Sequence, residues 1–140
     1  MITVTHEHGD RMTIRVRGHE LVTDQPISGG GDDAGPTPTE LFVAGLAACV
    51  GFYAERFLRR HGPEASLSVT CDFAMSTDRP SRVASVDLRI DVPGPLRDDL
   101  REALLRAVDH CTVHNSLRTP PAVSMEIRDS VDALAVRAVE

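Results

Sequence analysis

The uncharged, apolar run from Leu41 to Ala54 constrains this chain more than any other segment. Thr37 can cap a helix, Pro38 suits its first position, and Glu40 stands three residues past the cap, completing a capping box. Beyond the box, apolar side chains fall on every face until Glu55, Arg56, Arg59 and Arg60, and His61-Gly62-Pro63 closes the segment. A helix of that kind has to be buried all round. At 1.5 Å per residue it is a rod of roughly 33 Å, about the width of a domain this size, and one sheet cannot cover it. The expectation is a central helix enclosed in part by a second subunit, in an obligate homodimer. The run is shorter than the ~20 apolar residues that cross a bilayer, so no membrane span is expected.

Around this helix the pattern changes to period two. Ile2 and Val4 alternate with Thr3 and Thr5, and Met12, Ile14 and Val16 alternate with Thr13, Arg15 and Arg17. Glu20 to Thr23 follows the turn residue Gly18, so a three-stranded antiparallel meander is predicted. Ser28 to Gly35, glycine-rich and acidic, reads as a flexible connection; it lacks the GK[ST] of a phosphate loop. After the helix, Leu67, Val69, Cys71, Phe73 and Met75 share one strand face, and Ala84, Val86, Leu88, Ile90 and Val92 share another, with Ser76 to Ser81 as the hairpin loop. Pro93-Gly94-Pro95 ends the pair. Leu96, Leu100, Leu104, Val108 and Cys111 then give the stripe of a second helix, with Asp98, Asp99 and Glu102 near its positive end. Cys111 to Arg118 reads as a short helix or turn, and Val123, Met125 and Ile127 as a last strand; Val131 to Glu140 is ambiguous. The fold class is α+β, in the order β-β-β-α-β-β-α-β, as one domain over residues 1–140.

Composition narrows the chemistry. The 21 acidic residues outnumber the 15 basic ones, a balance that disfavours a nucleic-acid surface. Every basic residue is arginine, which excludes Schiff-base and P-loop lysines. Met1 to His8 has no hydrophobic signal core, and three cysteines without one fit a reducing compartment; the expectation is cytoplasmic. Cys71 falls on the core face of its strand and reads as a small hydrophobe. Cys49 lies mid-helix in Ala47-Ala48-Cys49, where a buried apolar role and a reactive one are both open. Cys111, at a helix boundary before Thr112, His114, Asn115 and Ser116, has better access and better prospects of thiolate character. His110, Cys111 and His114, with Cys49, form a competing metal constellation. It lacks a CxxC pair, and adjacent His110 and Cys111 diverge on a helix.

Two motifs settle the preference. Gly35-Pro36-Thr37-Pro38-Thr39-Glu40-Leu41-Phe42, running on to Ala47-Ala48-Cys49, resembles the signature of the OsmC/Ohr family, the osmotically inducible and organic hydroperoxide resistance proteins. Cys111-Thr112-Val113-His114-Asn115-Ser116-Leu117 resembles its second half, and the element order agrees over nearly the whole chain. The resemblance implies a thiol peroxidase for organic hydroperoxides, an intertwined homodimer with interfacial sites, and no metal, haem or flavin. Carried over, Cys49 is the peroxidatic thiol, and Cys111 resolves its sulfenic acid as a disulfide that an external dithiol reduces. Leu41, Phe42, Leu46 and Phe52 would line a site suited to a small hydrophobic hydroperoxide.

The chain departs from that pattern at two points. In the better-known peroxidase branches a glutamate directly follows the motif proline; here Thr39 holds that place. Glu40 lies nine residues before Cys49, half a turn out of phase and about 13.5 Å away along a regular helix. It can meet Cys49 only if the helix breaks, near Gly45, or across a dimer interface, and its capping role is the other reading. A thiol in an apolar setting also needs a cation. Arg17 is the first choice, with Arg15 and Arg118 behind it, although strand parity turns Arg15 and Arg17 toward solvent. A second function class keeps the fold and thiols as a binding or redox-sensing module for a hydrophobic, thiol-reactive ligand.

Overall fold

The capping box forms as the sequence predicts, and it sets the start of the longest element. In the computed structural model, which describes residues 1–62 and 66–129, Thr37 Oγ1 accepts from Glu40 N at 3.2 Å while Glu40 Oε2 accepts from Thr37 N at 2.7 Å. From there α1 runs unbroken over Pro38–His61, with Arg59, Arg60 and His61 at its negative end. Pro63, expected to help close it, lies outside the described residues, as does the tail from Val131 to Glu140.

Three strands precede α1: β1 (Ile2–His8), β2 (Arg11–Val16) and β3 (His19–Thr23), an antiparallel meander in which Val4 faces Ile14 and Ile14 faces Leu21. After α1 come β4 (Ser68–Met75) and β5 (Val83–Asp91), paired so that Val69 faces Ile90, Cys71 faces Leu88 and Phe73 faces Val86. Then follow α2 (Asp98–Val108) and α3 (Thr112–Arg118). The class is α+β, with two small antiparallel sheets and three α-helices among the described residues.

The core lies between α1, the β4–β5 pair, α2 and α3. One stripe of α1 is buried, Val43, Leu46, Val50, Ala54 and Leu58, at the three- and four-residue spacing of a single face. Each large aliphatic side chain removed from water there contributes roughly 1.5–3 kcal/mol. Leu58 and Ala54 meet Leu104 of α2, and Leu46 and Val50 meet Cys111. All-round burial does not occur within the chain: Phe42 is 43% and Phe52 55% exposed, and Ala44, Gly45 and Ala48 lie on the same open side. The β1–β3 meander does not pack substantially on the helices, so β1 is exposed along its whole length. In length and apolar content α1 matches a bilayer span, but its buried stripe is that of a core helix.

Two further expectations are corrected. Val123, Met125 and Ile127 form no strand; they are 76%, 93% and 95% exposed in irregular chain. Alternation makes a strand only where a neighbouring edge accepts its hydrogen bonds, and Pro120 and Pro121 donate none. The Ser28 to Gly35 segment is not a loose connection either. It begins in a 3₁₀ turn over Ile27–Gly29 and folds around buried Asp24, whose carboxylate accepts from the N–H of Gln25 (2.8 Å), Asp32 (3.1 Å) and Ala34 (3.1 Å). The Ala34 N–H leads in holding that carboxyl below its ordinary value, against the opposing effect of burial. A side chain at Gly31 would come within 2.7 Å of Asp24 Oδ1, so the wrap needs glycine there.

Candidate active site

Sixty-two residues of sequence separate Cys49 from Cys111, and the packing of α3 against α1 brings them together. Cys49 is half-buried on α1, one position before buried Val50. Cys111 is 0% exposed, contrary to the access expected of it. α2 stops at Val108, and Cys111 is the cap of α3, its Sγ accepting from His114 N at 3.5 Å. A thiol turned inward to cap a helix is enclosed by the turn it caps, here with Leu46 and Val50 beneath it.

The two cysteines pack in one cluster, and their surroundings make them unequal. Burial acts to raise the Cys49 thiol, but the Cys111 S–H and the backbone N–H groups of Val113 and Thr112 outweigh it and hold Cys49 below the ordinary thiol value. Cys111 moves the other way: burial raises it first, and its hydrogen bond to Cys49 raises it further. The arrangement favours thiolate formation at Cys49 beside the raised thiol of Cys111. Such a thiolate is a nucleophile with a second sulfur beside it.

Of the remaining predicted residues, none meets Cys49 within the chain. Glu40 is exposed and committed to the cap, taking Thr37 N and Thr37 Oγ1 on one carboxylate oxygen, and α1 does not break at Gly45. Arg17 sits at the exposed β2–β3 turn with φ at +55°, a left-handed conformation unusual for a residue with a side chain. Arg15 pairs with Glu20 at 2.9 Å on the outer face of the meander. Arg118 ends α3, paired with Asp109 at 2.8 Å. No arginine is among the groups that lower Cys49. No group of three or more His, Cys, Asp or Glu suited to a metal ion occurs among the described residues.

A cavity of about 560 Å³ opens beside the thiol pair. Leu46, Val86 and Leu88 belong both to its wall and to the cluster around the two cysteines. Of the expected lining, Phe42 and Leu46 are present, whereas Leu41 and Phe52 are not. Val83 from β5 and His114, Leu117 and Arg118 from α3 complete the wall, with Ala84 and Ser85 at its edge. The β5 alternation marked Val86 and Leu88 as core, but nothing local showed that this face also fronts a cavity.

The fold and site define an α+β domain in which a long helix carries one thiol and a short helix is capped by a second. The comparisons place it more closely. The family model of the OsmC-like protein matches residues 30–126, and the chain belongs to that family. No curated protein matches the sequence significantly. Among solved structures, an OsmC-like protein from Mycoplasma pneumoniae is similar with TM-score 0.72 at 19% identity, covering 84% of this chain and 86% of that one. An organic hydroperoxide resistance protein OsmC from Legionella pneumophila gives 0.65 at 21%, over 84% and 89%. The organic hydroperoxide resistance protein OhrB of Bacillus subtilis gives 0.63 at 21%, over 91% and 98%. At these identities the likeness is one of fold.

Proposed function

We propose that the chain is a thiol peroxidase that reduces organic hydroperoxides. The observation that carries this reading is the packing of Cys49 against buried Cys111, with the Cys49 thiol lowered and the Cys111 thiol raised. The Cys49 thiolate attacks the distal peroxide oxygen, the O–O bond breaks, and the alkoxide leaves and takes a proton as the alcohol. Cys49 is then a sulfenic acid. The Cys111 sulfur displaces its hydroxyl, forming the Cys49–Cys111 disulfide and releasing water. An external dithiol restores both thiols by exchange, as a reducing cytoplasm allows. The apolar wall of Phe42, Leu46, Val86, Leu88 and Leu117 favours a hydrophobic hydroperoxide over hydrogen peroxide.

The working form in this reading is a homodimer. The open side of α1, with Phe42 and Phe52, and the exposed Ile2 (66%) and Val4 (57%) of β1 supply apolar surface for a second copy. Arg17, remote from the helical core of its own chain, is assigned to the site of the other copy. A second reading, a binding or redox-sensing module without turnover, draws on Glu40 being spent on the helix cap. One equivalent of cumene hydroperoxide, followed by mass-spectrometric disulfide mapping, separates the two. A fast Cys49–Cys111 bond, formed faster than with hydrogen peroxide, is expected. Unchanged free thiols would exclude peroxide reduction and leave the binding module.

A further inference from the structure

Cys111, which packs in one cluster with Cys49, is the cap of α3, and α3 is only seven residues long. A helix so short does not hold its own position, so its first turn has to be fixed from outside. Cys111 secures it from below. On the α1 side the contact is Tyr53, whose hydroxyl lies 3.3 Å from Thr112 Oγ1. Tyr53 is four residues after Cys49, one turn along the same face of α1. It is half-buried against the cluster that contains Cys111, and its ring meets Phe52 edge-on at 5.4 Å. The residue whose hydroxyl Tyr53 engages is thus the first residue of α3, directly after the cap Cys111 that packs in one cluster with Cys49.

We propose that Tyr53 is a positioning residue: its hydrogen bond to Thr112 holds the first turn of α3 in register with Cys49. Tyr53 does not touch the reacting atoms. It acts through Thr112, the first residue of α3, which sets how the start of that helix and its cap Cys111 lie against α1, and whose backbone N–H is among the groups that lower the Cys49 thiol. The steepness of N–H donation with angle makes the site sensitive to small shifts of this turn. The catalytic meaning of the contact rests on the peroxidase reading, but the contact itself does not.

The test is the pH profile of Cys49 alkylation by iodoacetamide on the reduced full chain, with the labelled site identified by mass spectrometry. Y53F keeps the ring and its packing and removes only the hydroxyl; T112V removes the other partner. Each should move the profile to higher pH and slow labelling near neutrality by about two- to tenfold, the range of one lost hydrogen bond. The double variant should be no slower than either single one, and T112S, which keeps a hydroxyl, should restore the wild-type profile. A lowered melting temperature with unmoved profiles would make the contact merely structural and overturn the proposal. If Y53F shifts the profile while wild type fails to consume cumene hydroperoxide, the peroxidase reading falls and the positioning role stands.

Discussion

Cys49 on α1 and Cys71 on β4 are both half-buried, both on regular elements and both subject to burial as the largest influence on their sulfur. They nevertheless depart from the ordinary thiol in opposite directions. Around Cys49 the neighbours are donors, the Cys111 S–H and two backbone amides, and the thiol is lowered. Around Cys71 burial is reinforced by the carboxylates of Asp72 and Asp87, and the thiol is raised. Asp72 and Asp87 face each other across the β4–β5 ladder, so both negative charges bear on the same strand position. Equal burial does not push both thiols the same way. The groups aimed at the sulfur decide it, and a helix start supplies donors where a strand pair supplies only its side chains.

The largest effect expected from this contrast is at the nucleophile. Cys49→Ser should lower hydroperoxide consumption by at least about a thousandfold, whereas Cys71→Ser should leave it intact and cost about 1 kcal/mol of stability or less. A coupled peroxidase assay and thermal melts check both, and a selective loss at Cys71 would reverse the assignment. Next in size is Cys111→Ala, which removes the resolving sulfur and the S–H donor together. Steady turnover should stop after one event, leaving a Cys49 sulfenic acid that dimedone traps; an untrappable product would end the resolving role.

A smaller effect distinguishes the two thiols in the untouched chain. Only the thiolate alkylates, so labelling rises as pH passes upward through each thiol's pKa. With Cys49 lowered and Cys71 raised, Cys49 labelling should climb and level off at a pH where Cys71 is still inert. Coincident profiles would erase the distinction. The smallest effect is on the strand: Asp87→Asn should relieve the facing carboxylates, raise the melting temperature by about 1–3 °C and bring Cys71 labelling to slightly lower pH. A fall in stability would show that Asp87 holds something more than a repulsive position.

Local physics was legible wherever it is complete within a few residues. Thr37, Pro38 and Glu40 specify a helix start without outside help, because their hydrogen bonds close within one turn. The β4–β5 alternation likewise marked both strands and their faces, and the structure pairs them with Cys71 facing Leu88. Val123, Met125 and Ile127 show the limit, since the same alternation has no edge to join in the described chain. The signature motifs carried the family. Cys49 and Cys111 were chosen by that resemblance, and their spacing alone could not have paired them.

By itself the sequence determined the long helix and its cap, the five paired strands, the Leu100, Leu104 and Val108 part of the α2 stripe and the OsmC-like family, whereas Leu96 and Cys111, expected on that stripe, lie outside α2. What only the tertiary structure decided is how α3 lies against α1: that Cys49 packs against Cys111, that Cys111 is buried as a helix cap, and that Glu40 is spent at the far end of its own helix. It also decided that Val86 and Leu88 share a cavity with His114 and Arg118. The physical reason is range. Capping and alternation close within a few residues, whereas the state of a thiol depends on donors and acceptors brought within hydrogen-bonding distance from the other end of the chain.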